Sequence, residues 1–339
     1  MSNFCYFVDL YWHQLTFKAR PLPDDILLGG QTAIVTGSNV GLGFEAAKEL
    51  ASHELSRLIL AVRDPAKGEA AKAEIARVAP KCDIQVWQLD QESWGSMVAF
   101  AERARTELDR LDITLLNAGL KRLEYTRSPT NHEAHVQINY LGTALLSLLL
   151  IEPLRRTARQ TGKPGRITIT ASSVGFNAPV RDVLSPQGGS SIINWLDNPA
   201  SFVPGESRYC LSKLLDMFWT RALASRLDAS DVVVNTLNPG YCQSAFHRVD
   251  PTAEKASKYF AFTTVEGGRH LTDAAVRHPD SHGAYLSEQR IRSFSKFILS
   301  TKGEEVQQKL WDETIALFRE ECPEAHIGEF AKGKSSVDR

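Results

Sequence analysis

The stretch Thr32-Ala-Ile-Val-Thr-Gly-Ser-Asn-Val-Gly-Leu-Gly43 joins a short apolar run to a glycine-rich segment. Its first five residues are apolar or β-branched, which predicts a strand. Gly37, Gly41 and Gly43 then predict a tight turn in which backbone N–H groups approach a ligand at the start of a helix. A strand, a glycine turn and a helix N-terminus together hold the pyrophosphate of a dinucleotide in many α/β proteins. The stretch therefore predicts an α/β fold with a dinucleotide site.

The rest of the chain alternates apolar runs with helical patterns. Because the runs are nearly continuous in Val, Ile and Leu, the strands are expected to be buried on both faces, as in a parallel sheet with right-handed crossovers. We predict a doubly wound parallel sheet of the Rossmann type, with about seven strands and helices on both faces. The predicted strands are 32–36, 57–62, 84–88, 113–116, 166–171, 232–237 and 283–286.

Residues 32–300 are predicted to form a single catalytic domain, because no Pro/Gly-rich linker divides them. Residues 1–31 are expected to be an N-terminal extension packed on that domain, since their apolar, aromatic start is too short and too polar to span a membrane. A peripheral membrane anchor is the less favoured alternative, because the polar face of the segment has few basic residues. Residues 301–339 are expected to form a C-terminal helix and tail, with a capping box at Thr301 and Glu304. The segments 176–206 and 241–264 break the alternation and are predicted to be substrate loops at the carboxyl ends of strands.

The composition limits the classes of partner. Lys plus Arg number 39 against 40 Asp plus Glu, a net charge of −1 that argues against nucleic-acid binding and against a polybasic membrane patch. Five scattered cysteines without zinc spacing indicate free thiols in a reducing compartment, so we predict a cytoplasmic protein without a metal site. The apolar run 141–151 is too short to span a membrane and predicts a helix in the core or at a subunit contact, so a homodimer or homotetramer stays open.

Tyr209 and Lys213 lie four residues apart in a predicted helix, which places the phenol and the ammonium on one face. An ammonium near a phenol favours the phenolate and should lower the phenol pKa toward working pH. The pair is therefore a candidate proton donor for general acid catalysis.

Taken in order along the chain, these motifs resemble the short-chain dehydrogenase/reductase family over about residues 32–286. The serine-containing glycine turn, the long spacer before Tyr209 and the terminal helix resemble the fungal branch found in secondary-metabolite pathways. The motifs in question are the glycine turn, Asn117-Ala118-Gly119, Asn139, Ser173, Tyr209, Lys213 and Pro239-Gly240.

The resemblance implies a catalytic role for four residues. Tyr209 would protonate the substrate carbonyl, and Lys213 would hold the ribose hydroxyls of the nicotinamide half. Ser173 would hydrogen-bond the carbonyl, although its distance from Tyr209 along the chain leaves Ser172 as an alternative. Asn139 would hold a water that links Lys213 to solvent. The predicted cofactor-binding residues are Gly37, Ser38, Asn39, Gly41, Leu42, Gly43, Arg63, Asp90, Asn117, Ala118, Gly119, Tyr209, Lys213, Pro239 and Gly240.

The end of the second predicted strand indicates which nicotinamide cofactor binds. An NAD site would place an acidic residue there for the ribose 2′-hydroxyl, but Val62 and Arg63 occupy the position. The Arg63 guanidinium can pair with a 2′-phosphate, so NADPH is predicted. Asp64 should point away, because Pro65 after it suits the start of a helix.

We therefore predict an NADPH-dependent oxidoreductase that reduces a ketone or aldehyde on a medium-sized apolar small molecule, such as a secondary-metabolite intermediate. Two alternatives remain open. One is alcohol oxidation or a cofactor-assisted rearrangement in the same site, and the other is a catalytically lapsed NADP-binding regulatory protein.

Overall fold

The computed structural model of the chain describes residue 14 and residues 16–180, 191–243, 251–327 and 330, with the backbone alone of residues 251–254 and 256. Parts of the predicted N-terminal extension, of both predicted substrate loops and of the tail lie outside the described residues. One sheet forms the centre of the molecule, with strand order β3-β2-β1-β4-β5-β6-β7-β8. Its strands are β1 Thr32–Thr36, β2 Arg57–Val62, β3 Asp83–Gln88, β4 Ile113–Leu116, β5 Gly165–Thr170, β6 Val232–Asn238, β7 Tyr285–Ser287 and β8 Arg290–Arg292.

Helices cover both faces of this sheet. A π-helix, Val136–Leu141, leads into α4, and two short 3₁₀ helices, Ser173–Asn177 and Pro199–Ser201, lie in the connections. The α-helices are α1 Gly41–Ser52, α2 Pro65–Val78, α3 Trp94–Glu107, α4 Gly142–Leu149, α5 Ile151–Thr161, α6 Ile192–Asp197, α7 Ser207–Ala224, α8 Pro251–Phe260, α9 Thr264–Val276 and α10 Thr301–Glu321.

The doubly wound fold is confirmed. All strand pairs are parallel except β7 with β8. Neighbouring residues of β1 belong to different cores: Ile34 packs in the cluster on one face of the sheet and Val35 in the cluster on the other. This two-sided burial explains why the strands are apolar throughout rather than alternating.

The strand order reverses between β1 and β4, which are neighbours in the sheet although two strands separate them in sequence. In a doubly wound sheet this reversal opens a crevice at the carboxyl ends of the strands, and ligands bind there. The turn after β1 and the loop after β4 therefore share one edge of the sheet.

Some elements differ from the expectation. The sheet has eight strands, because Arg290–Arg292 folds back on β7 through a tight turn at Glu288 and Gln289. Helices α6 and α8 lie within the two segments predicted as loops. The capping box predicted at Thr301 is wrong: Ser300 caps α10 through the N–H of Gly303.

The C-terminal helix α10 packs on α7 and on the π-helix. Trp311 stacks on Trp219 with ring centroids 4.6 Å apart, and the hydroxyls of Tyr140 and Thr314 lie 2.7 Å apart. The apolar run that suggested a subunit contact is thus largely covered by this chain's own helices, and the oligomeric state stays a prediction.

The helical run Val136–Thr161 is, among the described residues, long and apolar enough to cross a membrane by length and composition. Of its most apolar window, 89% is buried inside the protein. Such burial is typical of a core helix, and the run is divided at Leu150, whose φ of −90° and ψ of 0° separate α4 from α5.

The described part of the N-terminal extension lies against the loops that follow β6. The Gln14 side-chain amide donates to the carbonyl of Tyr241 at 2.8 Å and accepts from its N–H at 3.1 Å. The ring of Phe17 contacts Phe262 and His270, with centroids 6.5 Å and 5.5 Å away. These contacts support the proposal that the extension packs on the catalytic domain.

Gln14→Ala is expected to lower the free energy of unfolding by about 1–2 kcal/mol, since each of the two hydrogen bonds it removes contributes about 1 kcal/mol. Thermal or urea unfolding measures this difference. Lys18→Ala, an exposed change in the same segment, is the control and should have no measurable effect. Equal stability of Gln14→Ala and the unmutated protein would contradict the proposed packing of the extension.

Candidate active site

The glycine turn follows β1 directly and is fixed by close backbone contacts. Gly37 and Gly41 have φ angles of +65° and +67°, which L side chains rarely adopt. A Cβ on Gly43 would lie 2.5 Å from both the Gly37 carbonyl oxygen and the Asn117 amide nitrogen. The first glycines therefore make the turn possible, and the last lets α1 approach the ends of β1 and β4.

Thr36 joins the glycine turn to the loop after β4. Its hydroxyl accepts hydrogen bonds from the backbone N–H groups of Asn117 and Ala118, both at 2.9 Å. The Asn117 side chain returns a bond to the Thr36 carbonyl at 3.1 Å. The predicted Asn117-Ala118-Gly119 motif is thus held at the reversal of strand order, next to the turn.

The N-terminus of α1 is chemically suited to an anion. Its N-cap residue, Val40, provides no side-chain hydrogen bond, and the first turn of the helix contains no acidic residue. The Ser38 hydroxyl is fully buried without a hydrogen-bond partner among the described residues. Unsatisfied backbone N–H groups and the helix dipole favour negative charge there, so these residues fit the pyrophosphate of a dinucleotide.

Arg63 lies just beyond β2 at the same edge of the sheet. Its side chain is 68% exposed and makes a 3.4 Å ion pair with Glu92. Asp64 points elsewhere, as the sequence predicted, because its carboxylate caps α2 through the N–H groups of Ala66 and Lys67. An exposed cation therefore lies where β2 ends, and the carboxylate that follows it in sequence is engaged in the cap of α2.

Asp90 lies two residues beyond β3, the position predicted for contact with an adenine ring. Its Oδ1 accepts from the N–H of Glu92 at 2.9 Å, and its own N–H donates to the Ser96 hydroxyl at 3.0 Å. These bonds fix the loop at the far end of the crevice.

Helix α7 places Tyr209 and Lys213 one turn apart. The Lys213 Nζ donates to the Thr170 carbonyl at 2.7 Å and to the Asp216 carboxylate at 3.0 Å. It also lies 3.9 Å from the point where a Cβ on Gly119 would be. The ammonium is therefore buried between the ends of β4 and β5, beside the cofactor crevice.

The expected lowering of the Tyr209 pKa is not found. Burial raises the pKa of the Tyr209 phenol above its usual range, and the nearby Cys210 and the Asp216 carboxylate raise it further. The main physical reason is burial, which disfavours the charged phenolate. The Lys213 ammonium itself forms an ion pair with the Asp216 carboxylate.

The predicted Ser173 begins a 3₁₀ helix directly after β5. Its backbone N–H donates to the Asn238 side chain at 3.0 Å, whereas the hydroxyl of Ser172 caps the short helix. A Cβ on Gly175 would lie 2.9 Å from the backbone nitrogen of Leu214, so this short helix packs tightly on α7. The long spacer therefore does not separate Ser173 from the helix of Tyr209, and the capping role of Ser172 supports Ser173 as the functional serine.

Asn139 lies on the π-helix, a rare element that is frequent at functional sites. Its Oδ1 accepts from the N–H of Leu120 at 2.8 Å, and its amide donates to the Leu120 carbonyl and to the Ser212 hydroxyl. The side chain thus clamps the loop after β4 to α7. Its predicted role in holding a water stays a proposal.

Pro239 and Gly240 follow β6, and Gly240 has a φ of +79°. A Cβ there would lie 2.7 Å from the ring of Phe262. The buried Cys242 thiol, whose pKa is raised by burial, contacts the Pro239 carbonyl at 3.2 Å. These contacts shape the rim predicted to border the nicotinamide.

The predicted residues thus lie at the carboxyl edge of strands β1 to β6, on the π-helix that bears Asn139, or on α7, which bears Tyr209 and Lys213. Sequence reasoning missed three residues that hold this edge together: Thr36, Asn238 and Asp216. Asp216 had a readable signal, because a carboxylate three residues after Lys213 lies on the same helix face. Thr36 and Asn238 had none beyond their place at strand ends.

Comparison with known proteins identifies the family. The short chain dehydrogenase family model matches residues 31–190. The short chain dehydrogenase sol3 of Alternaria solani is 55% identical over 280 residues, which cover 82% of this chain and 96% of that protein. The chain belongs to the short-chain dehydrogenase family. The short chain dehydrogenase/reductase mfmJ of Annulohypoxylon moriforme is 38% identical over 314 residues, covering 89% of each chain. Both of these short-chain dehydrogenases are fungal proteins, in agreement with the predicted branch.

Solved structures of short-chain dehydrogenases have the same fold. One from Shigella flexneri, complexed with NADP, gives a TM-score of 0.57 at 23% identity, covering 79% of this chain and 100% of that chain. One from Escherichia coli CFT073, complexed with NADPH, gives 0.58 at 23% identity over the same shares. At this identity the likeness shows the fold alone.

Proposed function

We propose that the protein is an NADPH-dependent reductase of a ketone or aldehyde on a medium-sized apolar substrate. The observation that supports this most is the convergence of three elements: the glycine turn after β1, Gly119 after β4, and Lys213 on α7. The Gly43 contacts join the turn to Asn117, which lies in the same loop as Gly119, and Lys213 Nζ lies near Gly119. A cofactor on the turn would therefore reach the helix that bears Tyr209.

The chain's own groups would position the substrate and supply the proton. NADPH, when bound, supplies the hydride. Ser173 would donate a hydrogen bond to the substrate carbonyl oxygen, and Tyr209 would transfer its phenolic proton to that oxygen as negative charge develops. Lys213 would hold the ribose and, with it, the reacting end of the cofactor.

The preference for the 2′-phosphate rests on Arg63. The 3.4 Å ion pair of Arg63 with Glu92 is exposed on the arginine side and contributes little to stability, so the guanidinium can turn to a phosphate at small cost. Arg63 would then form the paired hydrogen bonds that guanidinium groups make with phosphate. The NADP and NADPH named for the structural neighbours agree with this choice.

The experiment is a turnover assay in both directions. Oxidation of NADPH is followed with a panel of apolar ketones and aldehydes, and reduction of NADP with the corresponding alcohols. Ketone reduction supports the proposal. Turnover of alcohols alone would favour the dehydrogenase alternative, and tight NADPH binding without turnover on any panel member would favour a lapsed regulatory protein.

Arg63→Ala is expected to weaken NADPH binding roughly 10- to 150-fold while NADH binding changes little. A hydrogen bond to a charged group contributes about 1.5–3 kcal/mol, and the 2′-phosphate would lose its partner. Fluorescence titration of both proteins with both cofactors measures the two affinities.

Lys72→Ala is the matched control, because Lys72 is a partly exposed cation on α2 that pairs with Glu69. It should leave both affinities unchanged. If the unmutated protein binds NADH as tightly as NADPH, the assignment of Arg63 is wrong.

A further inference from the structure

We propose that Asp216 is a positioning residue of the active site, which holds the Lys213 ammonium beside the crevice and limits the positive field that reaches Tyr209. The inference rests on the proposed function, since it concerns the same site. It extends that function to a residue outside the family's motif.

The geometry places Asp216 directly beneath Lys213. The two charged atoms lie 3.0 Å apart, and the side chains are only 1% and 6% exposed. Asp216 is one helix turn beyond Lys213, on the side away from Tyr209. Lys213 has one other hydrogen bond, to the carbonyl of Thr170. Among the described residues, the Asp216 carboxylate is therefore the only charged partner of the ammonium.

The second carboxylate oxygen of Asp216 indicates that packing alone does not explain an aspartate at this position. Asp216 Oδ1 is buried and has no hydrogen-bond partner among the described residues. Burying a carboxylate with one oxygen unsatisfied destabilises the fold, and a buried ion pair is often replaceable by apolar residues without loss. The buried Asp216 carboxylate therefore adds nothing to the stability of the fold. It is useful in a site that must orient the Lys213 ammonium.

The ionisable groups around the pair are few. On α7 and just before it these are Tyr209, Cys210 and Glu206, and Cys242 faces Tyr209 from the loop after β6. The His135 ring, which pairs with the buried Glu133 carboxylate, faces Tyr209 from the residue before the π-helix. The Tyr140 phenol faces Asp216 from the π-helix, with Glu313 of α10 behind it. Strand β6 and the 3₁₀ helix Ser173–Asn177, which also pack on α7, have no ionisable side chain. Arg166 of β5 donates to the His278 carbonyl rather than to a group near the pair.

Burial raises the pKa of Asp216 to about 6, although the Lys213 ammonium opposes the rise. The carboxylate is therefore charged above neutral pH, where Tyr209 would lose its proton. Its negative charge favours the protonated phenol and so extends carbonyl reduction to higher pH. Removing it should leave the ammonium uncompensated and move the loss of activity to lower pH.

The test is Asp216→Asn, which keeps the shape and removes the charge. We expect the alkaline limb of the pH profile of kcat/KM for carbonyl reduction to move lower by roughly half a unit to one unit, because the Lys213 ammonium without its carboxylate favours the phenolate more strongly. We also expect NADPH to bind roughly three- to tenfold more weakly, because Lys213 loses one of its two anchors. Asp216→Ser, which leaves room for a water beside the ammonium, serves if the asparagine variant does not fold.

Two further variants separate positioning from a structural role. Thr220→Val removes the hydrogen bond from Thr220 to the Asp216 carbonyl in the same buried helix face, and should change stability without moving the pH profile. In a Lys213→Met background, Asp216→Asn should cause no further loss of NADPH affinity, because it acts through Lys213.

The outcomes distinguish the two proposals. An active unmutated protein whose folded Asp216 variants keep the alkaline limb in place, or move it upward, overturns the role of Asp216 alone. An unmutated protein that neither binds nor oxidises NADPH overturns the proposed function, and the role of Asp216 with it.

Discussion

Tyr209→Phe is expected to lower kcat for carbonyl reduction by roughly 10²- to 10⁴-fold, the contribution typical of a positioned general acid. The phenylalanine ring keeps the shape of the half-buried side chain and its contact with the His135 ring, whose centroid lies 6.4 Å away. NADPH affinity should therefore stay within about twofold of that of the unmutated protein, because Lys213 and the glycine turn are untouched. Steady-state kinetics and fluorescence titration on the same preparations measure both quantities.

Tyr140→Phe is the matched control for that experiment. Tyr140 is another buried tyrosine, and its hydroxyl contacts Thr314 of the C-terminal helix rather than the crevice. Its loss should cost about 1 kcal/mol of stability and leave kcat unchanged. Full turnover by Tyr209→Phe on a true substrate would contradict the proposed acid and the mechanism built on it.

The strands that build the crevice could be predicted closely, and the reason is physical. Strands buried on both faces must be apolar throughout, so β1, β2 and β4 have the predicted ends. The short strand β8 could not be predicted. It has three exposed residues, Arg290-Ile291-Arg292, and its turn places Glu288 and Gln289 at φ values of 54° and 55° without glycine or asparagine.

The short helices could not be predicted from the sequence either. Helix α6 has six residues, too few for an amphipathic period to show, and its cap at Ser191 lies in a polar stretch that resembles a loop. The π-helix depends on how Asn139 and its neighbours pack, because all six of its residues are buried like those of an ordinary core helix and no pattern in them marks the different hydrogen bonding.

The sequence predicted which residues lie together at the candidate site better than it predicted the pKa shifts there. The order of the motifs places Tyr209, Lys213 and Ser173 near one edge of a sheet. The direction of the Tyr209 pKa shift was expected to be downward, because spacing along a helix shows the ammonium but not what else it contacts. Burial of the phenol reverses that direction in this structure, and Cys210 and the Asp216 carboxylate add to the effect.

Gly43→Ala should abolish measurable NADPH binding and lower the free energy of unfolding by about 1–3 kcal/mol, as overpacking in a close-packed region does. The new methyl group would lie 2.5 Å from the Gly37 carbonyl oxygen and 2.5 Å from the Asn117 amide. The carbonyl belongs to the turn itself, so relief requires α1 to move away from the ends of β1 and β4. That displacement would take the α1 N-terminus away from the cofactor pyrophosphate.

Gly95→Ala provides the comparison, because Gly95 is also near the N-terminus of a helix and a Cβ there meets nothing within 4 Å. This change should leave NADPH binding intact and stabilise the protein by up to about 1 kcal/mol, since alanine is the better helix former. Calorimetric titration with NADPH and thermal unfolding, run on both variants, separate loss of the site from loss of the fold. A Gly43→Ala protein that binds NADPH with unchanged affinity would show that the turn after β1 does not hold the cofactor.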